Sequence, residues 1–288
     1  MAVSPAHRFG QIIGEVWEAA ILPLLESFAK KHGLDLDKKG LRPARTGKKI
    51  TWTDRNGNKH GLDFVLERGG TAEEIGQPVA FIETAWRRYT KHSRNKAQEI
   101  QGAILPLVET HRSSAPSVGV ILAGVFTEGA LAQLNSLGFA VVYFRYETIV
   151  KVFRRVGINA VFDEASPDAE SAQKIAAWKS LPSKRKVAVA KALIRSNVRE
   201  LKDFITRLER AVSRRIESIR ILPLHGVACE LPSVESAVAF VQNYAEGEGH
   251  QPLVGYEIQI RYNNGDRIDG RFAAKEAAIG FLESYRGG

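Results

Sequence analysis

Gly61-Leu62-Asp63-Phe64-Val65-Leu66 and Pro78-Val79-Ala80-Phe81-Ile82-Glu83-Thr84-Ala85-Trp86 are the two stretches from which the architecture follows. The second is apolar on both faces, the pattern of a strand buried in the middle of a sheet. The first is joined to Ile50-Thr51-Trp52-Thr53 through Arg55-Asn56-Gly57-Asn58, and Asn-Gly is a strong hairpin signal because both turn residues tolerate positive φ. Three strands in a meander are therefore expected over 50–86. Beyond them, Ser93 or Asn95 caps a helix reaching about 109, with Ala97, Ile100, Ala103, Ile104 and Leu107 as its apolar stripe. Residues 118–126 read as a buried strand, 128–137 as a helix capped by Thr127 and ended by Gly138, 139–146 as a strand and 147–156 as a helix. Before the hairpin, residues 9–32 carry apolar positions at helical spacing with Pro23 as a kink, and 38–49 form a basic connection. Two strands separated by one helix imply a parallel pair with a right-handed crossover. The expected class is thus α/β, a mixed central sheet with flanking helices.

Working outward, residues 165–180 read as a surface connection into a basic helical segment. From Lys184 to Arg220 there are twelve Lys/Arg against four Asp/Glu, which is nearly the whole of the chain's net charge of +9. Local density of this kind suits a polyanion, although a solvated helix face carries charge in the same way. From Ile221 onward five basic residues face nine acidic ones. That tail reads as a small α+β module with strands at 219–222, 226–230 and 256–262, a turn at 263–266, and helices at 233–244 and 273–285. Its acidity fits dimerisation or partner binding better than a nucleic-acid surface. Expected divisions are 1–165 for the α/β core, 166–217 for the basic helical segment and 218–288 for the module. With 288 residues, 44% hydrophobic, the chain has material for such cores. It carries no run of eighteen apolar residues and no signal-like start, so a cytoplasmic protein with no membrane partner is expected. The single Cys229 cannot form an internal disulfide or a cysteine zinc site, and the seven histidines show no ligand-like spacing, so zinc chemistry is not expected.

Asp63 and Glu83 fall on adjacent antiparallel strands in apolar surroundings, where an uncompensated carboxylate costs several kcal/mol or so. Two such groups side by side call for a cation or a shared proton, and oxygen donors in this number suit Mg²⁺. The alternative is pairing on the rim, Asp63 with Lys59 and Glu83 with Arg87 or Arg88.

Gly-Leu-Asp63 on one strand and Phe-Ile-Glu83-Thr-Ala on the next, within the order helix, three strands, helix, strand, resembles the PD-(D/E)XK nuclease superfamily, which includes many restriction endonucleases. The resemblance covers about residues 9–155 and implies a restriction-endonuclease-like fold in which Asp63 and Glu83 coordinate Mg²⁺. It further implies hydrolysis of double-stranded DNA, site-specific in the restriction-type reading, with a homodimer supplying two sites and a cognate methyltransferase as a partner of the same system. Leu62 stands where the motif has proline, and Ala85 where it has the lysine that positions the attacking water. Lys96 on the following helix is the first replacement, Lys91 in the loop the second and Arg87 the third. Glu15 on the first helix is a third carboxylate or an ordinary surface acid, and Glu67 is its weaker rival. Arg87, Arg88, Lys91 and Arg94 are expected along the phosphate backbone, with Arg199, Lys202, Arg207, Arg210 and Arg214 on the basic helices. Two other readings stay open: a non-catalytic DNA-binding protein on this scaffold, which Ala85 favours, and a repair or defence nuclease that recognises structure or ends.

Overall fold

The computed structural model describes residues 4–90, 93–163, 166–224, 226–245 and 253–286. Two compact units emerge, Met1–His111 with Pro116–Leu208, and Arg112–Ala115 with Glu209–Gly288. Among the described residues, no helix is long and apolar enough to cross a membrane.

The first unit is mixed α/β. Helix α1 (Pro5–His32) starts on Ser4, whose side chain accepts from the His7 N–H, and ends on Gly33 in the left-handed conformation at φ 63°. It continues through Pro23. A short strand β1 (Asp35–Lys38) follows, then β2 (Ile50–Thr53), β3 (Lys59–Leu62), β4 (Phe64–Arg68) and the long β5 (Gln77–Arg87). Helix α2 (Ser93–Thr110), strand β6 (Ser117–Gly124), helix α3 (Glu128–Ser136), strand β7 (Ala140–Arg145) and helix α4 (Tyr146–Arg154) complete the alternating part. The main sheet has the order β1-β4-β5-β6-β7. β4 is antiparallel to β1 and β5, while β5, β6 and β7 run parallel. One sheet face packs on α2 and α3 through Val65, Phe81, Ala85, Ala97, Ile100, Val120, Leu122, Ala130 and Leu134.

The expected meander is corrected in one respect that matters for the site. The stretch read as a single strand over 61–66 breaks at Asp63: β3 pairs with β2 in a separate two-stranded ribbon, and β4 belongs to the main sheet. Asp63 is the residue at which the chain leaves one sheet for the other. β1 is a strand beyond those expected, overlapping the expected basic connection only at Lys38, and its Asp35 and Asp37 are neutralised by Arg42 and Arg45.

Residues read as a surface connection at 165–180 contain helix α5 (Asp168–Ser180), followed by α6 (Ser183–Ser196) and α7 (Val198–Val212). These helices do not form a segment of their own over 166–217. Both α5 and α6 pack against α1, and Phe204 of α7 covers Gly119 of β6, where a Cβ would meet its ring at 2.7 Å.

The second unit is a four-stranded antiparallel sheet, β11-β10-β8-β9, made from β8 (Ile216–Pro223), β9 (Cys229–Leu231), β10 (Tyr256–Tyr262) and β11 (Arg267–Phe272). Helices α8 (Val234–Asn243) and α9 (Lys275–Glu283) cover one face over Ile219, Ile221, Tyr256, Ile258 and Ile260. β11 is a strand beyond those expected. Its alternating Arg267, Asp269 and Arg271 make a charged edge of the kind that resists further pairing.

Candidate active site

The last rung of the β4–β5 ladder pairs Phe64 with Ile82, so Asp63 stands one step further, across from Glu83. The bend at Asp63 turns its backbone and side chain in different directions. Its N–H donates to Glu83 Oε1 at 3.1 Å, while its Oδ2 accepts from the Thr84 N–H at 2.8 Å and the Thr84 hydroxyl at 2.7 Å. Oδ1 is the oxygen left to turn toward a cation. Thr84 is a positioning residue that sequence reasoning missed, since a threonine beside a motif acid carries no signal of its own.

Glu83 is buried and Asp63 half-buried. Burial and the Asp63 charge push the Glu83 carboxyl up to about 8, against the opposing pull of Lys96 and the Asp63 N–H. At neutral pH Glu83 therefore holds a proton, and a divalent cation would take that proton's place. Two carboxylates match the way Mg²⁺ binds, with water and substrate phosphate filling its other positions. The pair fits Mg²⁺, and the absence of His and Cys from it does not suit Zn²⁺. Among the described residues, no group of three or more His, Cys, Asp or Glu is gathered to hold a metal unaided.

On α1 both Glu15 and Glu18 line one cleft with Asp63. Glu15 is bonded to Arg8 at 2.8 Å and its side chain is 59% exposed. Glu18 lies in a cleft of about 370 Å³ that is also lined by Asp63, Phe64, Thr84, Ala19, Leu22 and Lys39. Partial desolvation and the Asp63 charge both raise the Glu18 pKa, whereas Lys39 lowers it. Glu15, Glu18, Ala19 and Leu22 recur at the spacing of one helix face, and that periodicity was the available signal for Glu18. Lys39 had none, standing in what read only as a basic connection. Glu67 is a structural acid: fully buried, it takes both Arg42 nitrogens at 2.9 Å and the Gly76 N–H at 2.8 Å.

Ala85 sits in the apolar cluster with Ala97 and Ile100, so a lysine in its place would have to bury its stem and charge there. Lys96 carries positive charge to Glu83 from α2; its Nζ is 2.7 Å from Glu99 and only 12% of its side chain is exposed. Lys91 lies outside the described residues. Neither rim pairing expected for Glu83 occurs: Arg87 donates to the Trp86 carbonyl at 2.9 Å, and Arg88 donates to the Phe162 carbonyl while stacking 4.2 Å from the Tyr146 ring centroid. Arg94, Arg199, Lys202 and Arg210 are exposed. Arg207 is tied to the Phe139 carbonyl at 3.0 Å. Arg214, in the second unit, lies 3.6 Å from the Tyr262 ring centroid and 3.3 Å from Asp266, an internal packing role in place of an open cationic surface.

No family model matches this chain, and no curated protein matches it. Among solved structures it is similar to one described as the crystal structure of a protein of unknown function, AF1548. That likeness has 12% identity, covers 62% of this chain and 97% of that one, and has a TM-score of 0.27, too low to carry an argument about either protein.

Proposed function

We propose that the first unit is a restriction-endonuclease-like, PD-(D/E)XK-type nuclease that hydrolyses DNA phosphodiester bonds with Mg²⁺. The observation that carries this reading is the coupled pair at the break between β3 and β4. Asp63 is bonded through its backbone to a buried Glu83 whose carboxyl holds a proton at neutral pH, and it lines a cleft with Glu18 and Lys39. Asp63 and Glu83 would hold Mg²⁺, which would supply Lewis acidity to the scissile phosphate. Thr84 fixes the Asp63 carboxylate so that Oδ1 keeps one direction. Glu83 would bind the cation as its carboxylate, its proton passing to solvent water. Lys96, held by Glu99 and within electrostatic reach of Glu83, orients water and compensates charge in place of the motif lysine. Lys39 and Arg87 hold the backbone phosphates on either side.

The burial of Ala85 in the apolar cluster favours a second reading, a DNA-binding protein on the same scaffold that no longer cleaves. Incubating the full chain with plasmid and oligonucleotide DNA in Mg²⁺ or EDTA separates the two. Cleavage that requires Mg²⁺ and is abolished in Asp63→Asn and Glu83→Gln supports the nuclease. Binding with no cleavage by the wild type, or cleavage that survives both substitutions, overturns it.

A further inference from the structure

The cleft at Asp63 does not stop at Glu18. Glu15, Glu18 and Lys39 also line a second and larger space of about 730 Å³, whose other walls include Arg8, Arg87, Trp86, Tyr89 and Phe162. The two spaces therefore share a wall along α1. Gly10 and Gly14 of α1 face Trp86, which leaves the indole flanking the pocket. Phe162 packs edge-on to Phe9 at 5.5 Å, and Arg88 lies 5.3 Å from the Tyr89 ring centroid, so the aromatic walls are braced from behind. Phosphate-binding cations thus stand beside flat aromatic walls, one step along a groove from the carboxylate pair.

We propose that this pocket receives an unstacked nucleotide, so that the substrate is a single strand of DNA threading from the aromatic pocket past Asp63 and Glu83, and not an intact duplex. This rests on the nuclease reading above for the placement of the scissile phosphate. Three features favour a strand. A space of this size matches a single nucleotide. Half-buried Trp86 and Tyr89 offer rings on which any base stacks, with buried Phe162 behind them, and Arg87, beside an Arg8 paired to Glu15, offers charge to its phosphate. Continuity with the carboxylate cleft puts the neighbouring phosphate beside Asp63. A base enters only after it has left a duplex stack, and a displaced or terminal strand has no such cost to meet.

The test measures binding in Ca²⁺ or EDTA, independently of cleavage, with fluorescein-labelled oligothymidylate and a blunt duplex of the same length. The wild type is expected to bind the single strand at least about tenfold more tightly than the duplex. Tyr89→Ala should lose about tenfold on the single strand, the scale of one stacked base, with little change on the duplex, and Tyr89→Phe should restore it. Oligothymidylate should quench tryptophan fluorescence in the wild type, and Trp86→Phe should bind the strand yet lose that quench. Equal or tighter duplex binding, a Tyr89→Ala variant with unchanged single-strand affinity, or a quench that survives in Trp86→Phe overturns the pocket. Mg²⁺-dependent duplex cleavage alongside any of these leaves the nuclease reading standing, and tight single-strand binding without cleavage does the reverse.

Discussion

Glu83 is where a single side chain ties fold, charge and metal together. Its folded pKa, up to about 8, lies above the ordinary value of 4.5, so its contribution to stability is present below that lower value and is lost as pH rises toward the higher one. Above about 8 the metal-free protein holds a buried charge beside Asp63. The melting temperature in EDTA should therefore fall between pH 5 and 8, at roughly 1.4 kcal/mol per pH unit of Glu83 ionisation, and Glu83→Gln should flatten that slope. Mg²⁺ should raise the melting temperature more at about pH 8.5 than at about pH 6, because at low pH it competes with a proton. A scan in which Glu83→Gln follows the wild type at every pH removes the buried-charge account. Lys96 is the other decisive side chain. Lys96→Ala should lower the cleavage rate by about a hundredfold or more while DNA binding in Ca²⁺ stays intact, the scale of losing a positioned acid-base group. Normal turnover by Lys96→Ala would mean that the place of the motif lysine is filled by another group or by none.

At the scale of elements, the end of the sheet at the turn between β4 and β5, away from Asp63, carries a buried ion network. Arg42 bonds Glu67 of β4 and lies within 3.3 Å of Asp35 and Asp37 of β1, and Arg45 joins Asp37 at 3.1 Å. Arg42 also donates to the Thr71 and Glu74 carbonyls, fixing the turn between β4 and β5. Removing one partner of such a buried network leaves the other uncompensated, so Glu67→Gln or Arg42→Met should cost about 3–5 kcal/mol in denaturant unfolding. Replacing the set by apolar residues should cost less. A loss below about 1 kcal/mol for Arg42→Met would mean that solvent reaches the cluster and that β1 is held by its ladder alone. The same network explains why β1 was illegible. Asp35-Leu36-Asp37-Lys38 carries no strand signal because three of its four side chains are charged, and the arginines that neutralise its acids come from the following loop.

For the whole molecule, the basic stretch is a covering of α1 and the sheet as well as a charged surface. Of the five cations singled out on α7 and just beyond it, Arg214 is engaged internally, Arg207 is exposed but donates to the Phe139 carbonyl, and Arg199, Lys202 and Arg210 are exposed. Charge reversal at these three should weaken DNA binding and flatten the slope of log affinity against log salt by up to about 3, since fewer counterions are released. Reversal at Arg214 should instead destabilise the second unit by removing its contact with Tyr262 and Asp266. A salt titration in which the triple reversal keeps the wild-type slope returns this surface to ordinary solvation.

The sequence alone determined the alternating half of the first unit. The apolar run of β5, the stripe of α2, the Thr127 cap of α3 and the parallel crossovers are written in local periodicity, because burial and capping act on residues close in the chain. It also put Asp63 and Glu83 on neighbouring strands, while their register across the long 68–77 connection came from the fold. Only the tertiary structure decided how those two acids are used. The break at Asp63 arises because β3 and β4 serve different sheets, and no local pattern distinguishes one strand from two that meet end to end. Glu18 joined Glu15 on the cleft wall because the two share one face of α1, and Lys39 came to the same wall from a loop. Charge in the basic helices was legible as a number, but whether each arginine meets solvent, a carbonyl or an aromatic ring depends on neighbours tens of residues away.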